Sequence, residues 1–323
     1  MDDTRQLLVE TAERIFADHC DKALLDAAEQ GRFPEALWNV VRDNGFHELA
    51  MADSGVDLKD AFAVVRAAGR HALPLPLAEI LLANRWLQGS DSLCVVGRLE
   101  AAGNGRRVVD VPWAAQADQV LGLDWDGGDV VVVPAAQGAT TAGRNLAGEP
   151  RDDVPAPDGA DTLGFNEPAF ELLALGRVAA TAGALERILE LSLQYANERE
   201  QFGRPIGKFQ AIQHTLAVMA GEVAAASRAA DAALDALDGD RFALEVAAAK
   251  ARVGEAAGLV AESAHQVHGA MGFTHEHQLH HFTRRVWAWR DEYGNEAYWQ
   301  QRLGRHLAAL GADQAWDFMA TRG

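Results

Sequence analysis

Cysteine is nearly absent: the 323 residues contain two, Cys20 and Cys94, far apart and in no CxxC arrangement. Neither a disulfide framework nor a cysteine-ligated zinc site can organise such a chain, and a reducing compartment is the expectation. Basic residues are also scarce, with 29 Lys and Arg against 47 Asp and Glu and a formal charge of -18. A broad nucleic-acid or membrane-surface footprint needs a basic face to neutralise phosphate, so neither is expected, and an anionic ligand has to be held by a local basic cluster. Long uncharged apolar runs are missing, which argues against membrane insertion. Residues 1–14 carry Asp2, Asp3, Glu10 and Glu13, where a secretory leader would be basic and then apolar. A soluble, cytoplasmic protein is expected. What is present is a composition 49% hydrophobic and 24% charged, enough to bury a substantial core.

Periodicity divides the chain into three stretches. Over residues 1–90, Leu7, Leu8, Ala12, Ile15 and Phe16 mark one helical face, Leu37, Val40 and Val41 a second, and Leu58 to Ala68 and Leu77 to Leu87 two further helices. Pro34 is expected in the first turn of the second helix, and the prolines of Leu73-Pro74-Leu75-Pro76 break the chain between the last two. Over residues 91–168 the pattern changes to short β-branched runs at Cys94-Val95-Val96, Arg107-Val108-Val109, Val120 to Leu123 and Val130 to Val133, with a hairpin turn at Asp126-Gly127-Gly128-Asp129. This is a small β domain, and the Gly-, Pro- and Asp-rich remainder up to Gly164 completes it as loop. Over residues 169–323 the chain turns Ala- and Leu-rich and predicts four long helices at 171–197, 208–237, 240–270 and 279–310, joined by short loops into an antiparallel bundle. The fold class is mainly α with a small β domain.

Chemistry concentrates between the first two long helices, in Glu198-Arg199-Glu200-Gln201-Phe202-Gly203-Arg204-Pro205-Ile206-Gly207-Lys208-Phe209-Gln210-Ala211-Ile212-Gln213-His214. A glycine-bracketed turn with three cations and two aromatics suits a phosphate beside a ring: Arg199 is a planar, bidentate donor, and the helix opening near Lys208 adds a favourable dipole. On composition alone a polar interhelical loop is the commoner explanation. Gly203 to Lys208 is not a P-loop, being one residue short and followed by Phe209.

This run resembles the Arg-x-Gln-Phe-Gly-x-x-Ile-x-x-Phe-Gln-x-x-x-His segment of acyl-CoA dehydrogenases. A second run, Gln266-Val267-His268-Gly269-Ala270-Met271-Gly272-Phe273, is similar to the family's Gln-x-x-Gly-Gly-x-Gly-Phe segment, with Ala270 in place of the second glycine. The resemblance implies N-terminal helices, a middle β domain and a C-terminal four-helix bundle. It also implies FAD placed across a subunit interface, with Arg199, Gln201, Phe202 and, less directly, Gln210 near the diphosphate, and Gln266, Gly269 and Ala270 lining the adenosine side. The implied reaction is α,β-desaturation of an acyl-CoA thioester, in which a carboxylate removes the α-proton and the β-hydrogen leaves as hydride. The implied electron acceptor is an electron-transferring flavoprotein.

Two departures from the family pattern stand out. The alignment places Tyr293-Gly294 where many members carry the catalytic Glu-Gly pair, leaving Asp291 and Glu292 as adjacent candidates rotated off the position; the alternative base position falls at Leu173, with Glu171 two places off. The β segment is short and lacks the Thr-Glu-Pro-x-Ala-Gly-Ser-Asp-like loop and the Trp-x-Thr-x-Gly-like strand; Asn166-Glu167-Pro168-Ala169 is only an echo of the former. Family members with a reduced β domain and no base pair with a full-length relative, as in actinobacterial sterol side-chain degradation, and a homo- or hetero-oligomer of this kind is the first expectation. The alternatives are a self-sufficient homo-oligomeric enzyme and a flavin-free structural or regulatory subunit.

His275, His277, His280 and His281 cluster, and His277 and His281 would share a helix face as metal ligands can, but no acidic or cysteine ligand accompanies them at a recognisable spacing and no metal is expected. Arg284 and Arg285 are expected at a surface salt bridge, or on a carboxylate or CoA phosphate, and Trp287, Trp289, Tyr298 and Trp299 at a subunit interface.

Overall fold

A computed structural model describes residues 3–89, 92–103, 105–125, 130–134, 140–164 and 167–320. Five helices open the chain: α1 (Asp3–His19), α2 (Lys22–Glu29), α3 (Glu35–Asp43), α4 (Leu58–Arg70) and α5 (Leu77–Leu87). Helix α2, which the apolar periodicity does not reveal, is eight residues long and is started by Asp21, whose carboxylate accepts from the Leu24 amide at 2.8 Å. Pro34 stands at the N-cap of α3, one residue earlier than expected, where its missing N–H costs nothing.

A six-stranded sheet follows, made of β1 (Cys94–Ala102), β2 (Gly105–Val111), β3 (Gln119–Leu123), β4 (Val130–Pro134), β5 (Asp152–Ala156) and β6 (Asp161–Leu163), in the order β5-β2-β1-β3-β4-β6. Only the β1–β3 pair is parallel; Val95 lies opposite Val120 and Val96 opposite Leu121, all fully buried. The turn expected at Asp126–Asp129 lies outside the described residues. Glu167, from the echoed Glu-Pro pair, takes Arg85 in a two-pronged ion pair and the Trp86 indole at 2.9 Å, so it clamps the connection to α5.

The helical second half comprises α6 (Ala169–Glu198), a two-stranded hairpin of β7 (Glu200–Gln201) and β8 (Arg204–Pro205), then α7 (Gln210–Asp235), α8 (Phe242–His268), α9 (Leu279–Asp291), α10 (Glu296–Leu310) and α11 (Ala312–Ala320). The expected helix over 279–310 is therefore two helices. Tyr293 and Gly294 both take left-handed backbone, at φ 55° and 90°, and the Asn295 side chain caps α10 by accepting from the Tyr298 amide at 3.1 Å. Buried Lys250, some 40 positions away, donates to the carbonyls of Trp289 and Arg290 at 3.2 and 3.0 Å, and the Trp299 indole from the next helix donates to those of Tyr293 and Gly294, so the carbonyls at the break are satisfied. Gly294-Asn295 is the usual stop-and-restart signal; the aromatic residues that resume on both sides, Trp287 and Trp289 before it and Tyr298 and Trp299 after it, mask it.

Helices α4 and α6 approach backbone to backbone. A Cβ on Gly183 would stand 1.9 Å from the Arg66 carbonyl oxygen, and one on Gly69 would stand 1.9 Å from that of Ala180. Neither carbonyl can retreat without parting the helices. Gly183→Ala is expected to destabilise the chain by about 3 kcal/mol or more, through overpacking that exceeds the gain in helix propensity; urea unfolding of the two proteins checks this.

Candidate functional site

An open cavity of about 400 Å³ lies between the sheet and the α9–α10 turn. Gly97 and Arg98 of β1, Asp110 of β2 and Trp125 line it on one side; Trp287, Asp291, Glu292 and Tyr293 line it on the other, with Asn145, Leu146 and Arg151 from the loop before β5. Its size is that of a small-molecule site, with aromatic walls and a few convergent polar groups.

The two carboxylates singled out in the sequence have different settings here. Glu292 is the centre of a buried ion network: Arg151 Nη2 lies 2.8 Å from Oε1, Arg177 Nε 2.5 Å from Oε2, and Asn145 Nδ2 donates to Oε1 at 2.9 Å. Burial pushes its carboxyl up, but the Arg151 and Arg177 charges and the Asn145 hydrogen bond outweigh that and hold it at about 2. A carboxylate this stabilised as an anion has little driving force to take a proton from carbon. Asp291 is exposed at the cavity wall. Tyr293, at the aligned base position, donates its hydroxyl to Glu79 at 2.9 Å, and Glu79 in turn is paired with Arg177. Burial, and next the Glu79 charge, raise the Tyr293 hydroxyl well above its ordinary range, so it remains a neutral donor. Glu171 pairs with Arg302 at 2.7 Å.

Asp110 is the cavity carboxylate that sequence reasoning missed. Desolvation raises its carboxyl above the usual range against the pull of Arg98, whose guanidinium also lies over the Trp125 ring at 5.1 Å. It occupies a left-handed backbone position, φ 57°, in a strand, and only that geometry turns it to the cavity; a lone Asp after two valines carries no such signal.

The resemblance segments meet at the opposite end of the bundle. Arg199 caps α6, and the β7–β8 hairpin beyond it turns through Phe202 and Gly203, both with positive φ, at 53° and 78°. A phenylalanine in left-handed backbone is uncommon; here it holds the ring 93% exposed. Tyr195, one turn before Arg199, stacks on His268 at 4.5 Å between ring centroids, and this contact brings the hairpin beside Gln266, Gly269 and Ala270. Arg199, Gln201, Phe202, Gln210, Gln266, Gly269 and Ala270 are all exposed. Gly269 has φ 57°, and a Cβ built on it meets nothing within 4 Å, so this backbone is open to close approach by a flat group. Planar donors, an outward aromatic face and a bare glycine edge fit a nucleotide cofactor.

This surface is remote from the cavity of its own chain. Arg177, which holds Glu292, and Arg199 are both on α6 and 22 residues apart, about 33 Å at the rise of an α-helix.

The remaining sequence-marked groups are structural within the chain. Arg284 and Arg285 both reach Glu29, at 3.0 and 2.7 Å, and Arg285 is buried, not at the surface. Trp289 and Trp299 are core residues, 4% and 0% exposed, so they are not available to a subunit interface; Trp287 faces the cavity, and Tyr298 is 43% exposed. His277 precedes α9 and meets the His268 and Tyr195 rings edge-on, so the i, i+4 pairing of His277 with His281 on one helix does not form. Among the described residues no helix is long and apolar enough to cross a membrane.

Comparison with known proteins agrees with these features. The family model for the acyl-CoA dehydrogenase C-terminal domain matches residues 167–307. Acyl-CoA dehydrogenase IpdE2 of Mycobacterium tuberculosis is 28% identical over 306 residues, covering 87% of this chain and 90% of the relative. In the crystal structure of the ChsE4–ChsE5 complex from Mycobacterium tuberculosis, a chain with 25% identity superposes with a TM-score of 0.84, covering 97% of this chain and 99% of that one. A chain of the Tcur3481–Tcur3483 steroid acyl-CoA dehydrogenase superposes with a TM-score of 0.82 at 24% identity, covering 95% and 98%. Residues 167–307 are thus an acyl-CoA dehydrogenase C-terminal domain, and the chain is similar to acyl-CoA dehydrogenases over nearly its whole length.

Proposed function

We propose that this chain is one subunit of an FAD-dependent acyl-CoA dehydrogenase and works with a full-length relative that supplies the catalytic base. The observation that carries the proposal is the separation of the two sites: the nucleotide-fitting surface at Arg199 is exposed and about a helix length, roughly 33 Å, from the chain's own cavity. A single chain therefore cannot grip with Arg199 a cofactor whose ring lies in that cavity, and the surface is suited to a cofactor held mainly by a neighbour. The structural relative from Mycobacterium tuberculosis is a ChsE4–ChsE5 complex, which favours a hetero-oligomer over a homo-oligomer.

Bound FAD would supply the hydride acceptor for desaturation of an acyl-CoA thioester, with an electron-transferring flavoprotein as the onward acceptor. This chain's part is to bind and orient: Arg199 and Gln201 offer planar donors to a diphosphate, Phe202 an aromatic face, Gln210 a further donor, and Gln266, Gly269 and Ala270 a close edge for the adenosine. Neither Tyr293 at the aligned base position nor Glu292 beside it is poised as a base, because Glu292 is bound to two guanidiniums and Tyr293 is a donor. The steroid enzyme among the relatives makes a bulky, ring-derived acyl group the substrate class to try first.

A self-sufficient enzyme is the second reading, favoured by two carboxylates at the cavity wall, Asp291 and Asp110, the latter only 3.9 Å from Arg98. Visible absorption of the purified chain, alone and co-expressed with a full-length dehydrogenase encoded beside it, separates the two. Colourless protein alone and a yellow complex with the partner is the expected result. Stoichiometric FAD on the chain alone, with turnover abolished by Asp291→Asn or Asp110→Asn, would overturn the shared-site proposal. A complex that forms without flavin would assign the chain a scaffold role.

A further inference from the structure

At the start of α9, three potential ligand atoms converge against α2. One ring nitrogen each of His280 and His281 and a carboxylate oxygen of Asp26 lie within 4.8 Å of one another. The outer nitrogen of each ring has a fixed role. His280 Nδ1 is 2.7 Å from the carbonyl oxygen of His277, which only accepts, so Nδ1 carries the proton. His281 Nδ1 is 2.7 Å from Oε1 of Glu29, and since a carboxylate also only accepts, Nδ1 is again the protonated nitrogen. In the neutral rings both lone pairs then fall on Nε2. Both Nε2 atoms are buried and neither forms a hydrogen bond; Asp26 Oδ1 stands 3.3 Å from that of His281.

Lys22 Nζ already pairs with the outer oxygen of Asp26 at 2.5 Å, but it leaves two buried imidazole lone pairs without a donor or cation, which is costly. A proton on His281 would answer only the Asp26 contact and leave His280 Nε2 unsatisfied. A divalent ion answers all three atoms at once. The outer partners are those that orient metal-bound histidines, a carboxylate behind one ring and a backbone carbonyl behind the other. In tetrahedral zinc sites, bonds of about 2.0–2.1 Å put neighbouring ligand atoms roughly 3.4 Å apart. The Asp26–His281 pair already has that spacing, and His280 needs only a small inward turn.

We propose that Asp26, His280 and His281 form a binding site for a divalent transition-metal ion, zinc being the ion that a two-imidazole, one-carboxylate set suits. A fourth position is left for water. The site joins α2 to the first turn of α9, while the cavity is lined by α9 from Trp287 onward, six residues or about 9 Å further along the helix. The ion is therefore structural: it pins a short helix of the first stretch onto the bundle. The separation of Asp26 from His281 by 255 positions, and the presence of the second histidine next to the first, explain why no motif shows in the sequence.

The test uses the tag-free chain, in complex with its partner if that is the form that purifies, stripped with a chelator and titrated calorimetrically with zinc chloride. One ion per chain is expected. Asp26→Asn and His280→Gln should each weaken binding about a hundredfold or more, and zinc should raise the melting temperature of the parent but not of either variant. Asp26 is half-exposed and the His280 ring bonds only to the His277 carbonyl of the turn leading into α9, so both variants should fold, as circular dichroism will show. Cobalt(II) in place of zinc should give the visible absorption of a four-coordinate site, lost in both variants. Absence of saturable one-to-one binding, or one-to-one binding equally strong in Asp26→Asn and His280→Gln, would overturn the proposal.

Discussion

Arg199→Ala, co-expressed with the full-length partner, is expected to yield an assembled complex that has lost most of its FAD. The guanidinium is exposed at the C-cap of α6 and has no side-chain partner within the chain among the described residues, so its removal leaves the fold intact. A charge-assisted, two-pronged contact to a diphosphate is worth about 1.5–3 kcal/mol, or about 10- to 100-fold in affinity. The readouts are flavin content after gel filtration and the FAD concentration that restores turnover. Phe202→Ala should show a smaller loss, because an aromatic face contributes packing without charge. Unchanged flavin content in Arg199→Ala, with the complex intact, would remove the cofactor role of this surface and leave a scaffold.

Glu292→Gln should act on the fold before it acts on chemistry. Its carboxylate balances Arg151 and Arg177, both buried, and replacing one member of a buried ion network leaves the others under-compensated at a cost of about 3–5 kcal/mol. Urea unfolding should show that loss, and turnover per folded complex should be nearly unaffected. A base would show the converse, with stability kept and turnover abolished. The pH dependence separates them again. Glu292 is held at about 2 in the folded chain against an ordinary 4.5, so its contribution is fully present above about pH 4.5 and is lost as pH falls toward 2. Glu29, burial notwithstanding, is pulled down to about 2 by His281 and Arg285 and adds a second component over the same window. The parent should therefore lose stability steeply between pH 4.5 and 2, and Glu292→Gln should lose it less steeply because one of the two components is gone.

Local signals carried much of this architecture. Three- and four-residue apolar spacing marks α1 and the long helices α6, α7 and α8, and β-branched runs mark β1 to β4, because those patterns follow from the helical and strand repeats alone. The Arg199 and Gln266 segments are equally readable, since a turn that presents donors and a bare glycine is built from neighbours in sequence. Short or interrupted elements were not readable in the same way. Helix α2 has too few residues to display a period, and the Glu292–Asn295 break is stabilised by Lys250 and Trp299, which no local pattern connects to it.

The sequence by itself determined the fold class and the resemblance to acyl-CoA dehydrogenases, because each depends on contiguous residues or on short periodicities. Only the tertiary structure decided the state of the carboxylates and histidines. Glu292 owes its ion pairs to residues 141 and 115 positions away, and His281 its hydrogen bond to one 252 positions away. A side chain becomes a base, an ion-pair partner or a metal ligand through its field, its solvent and its neighbours, and these are properties of space that chain order does not record.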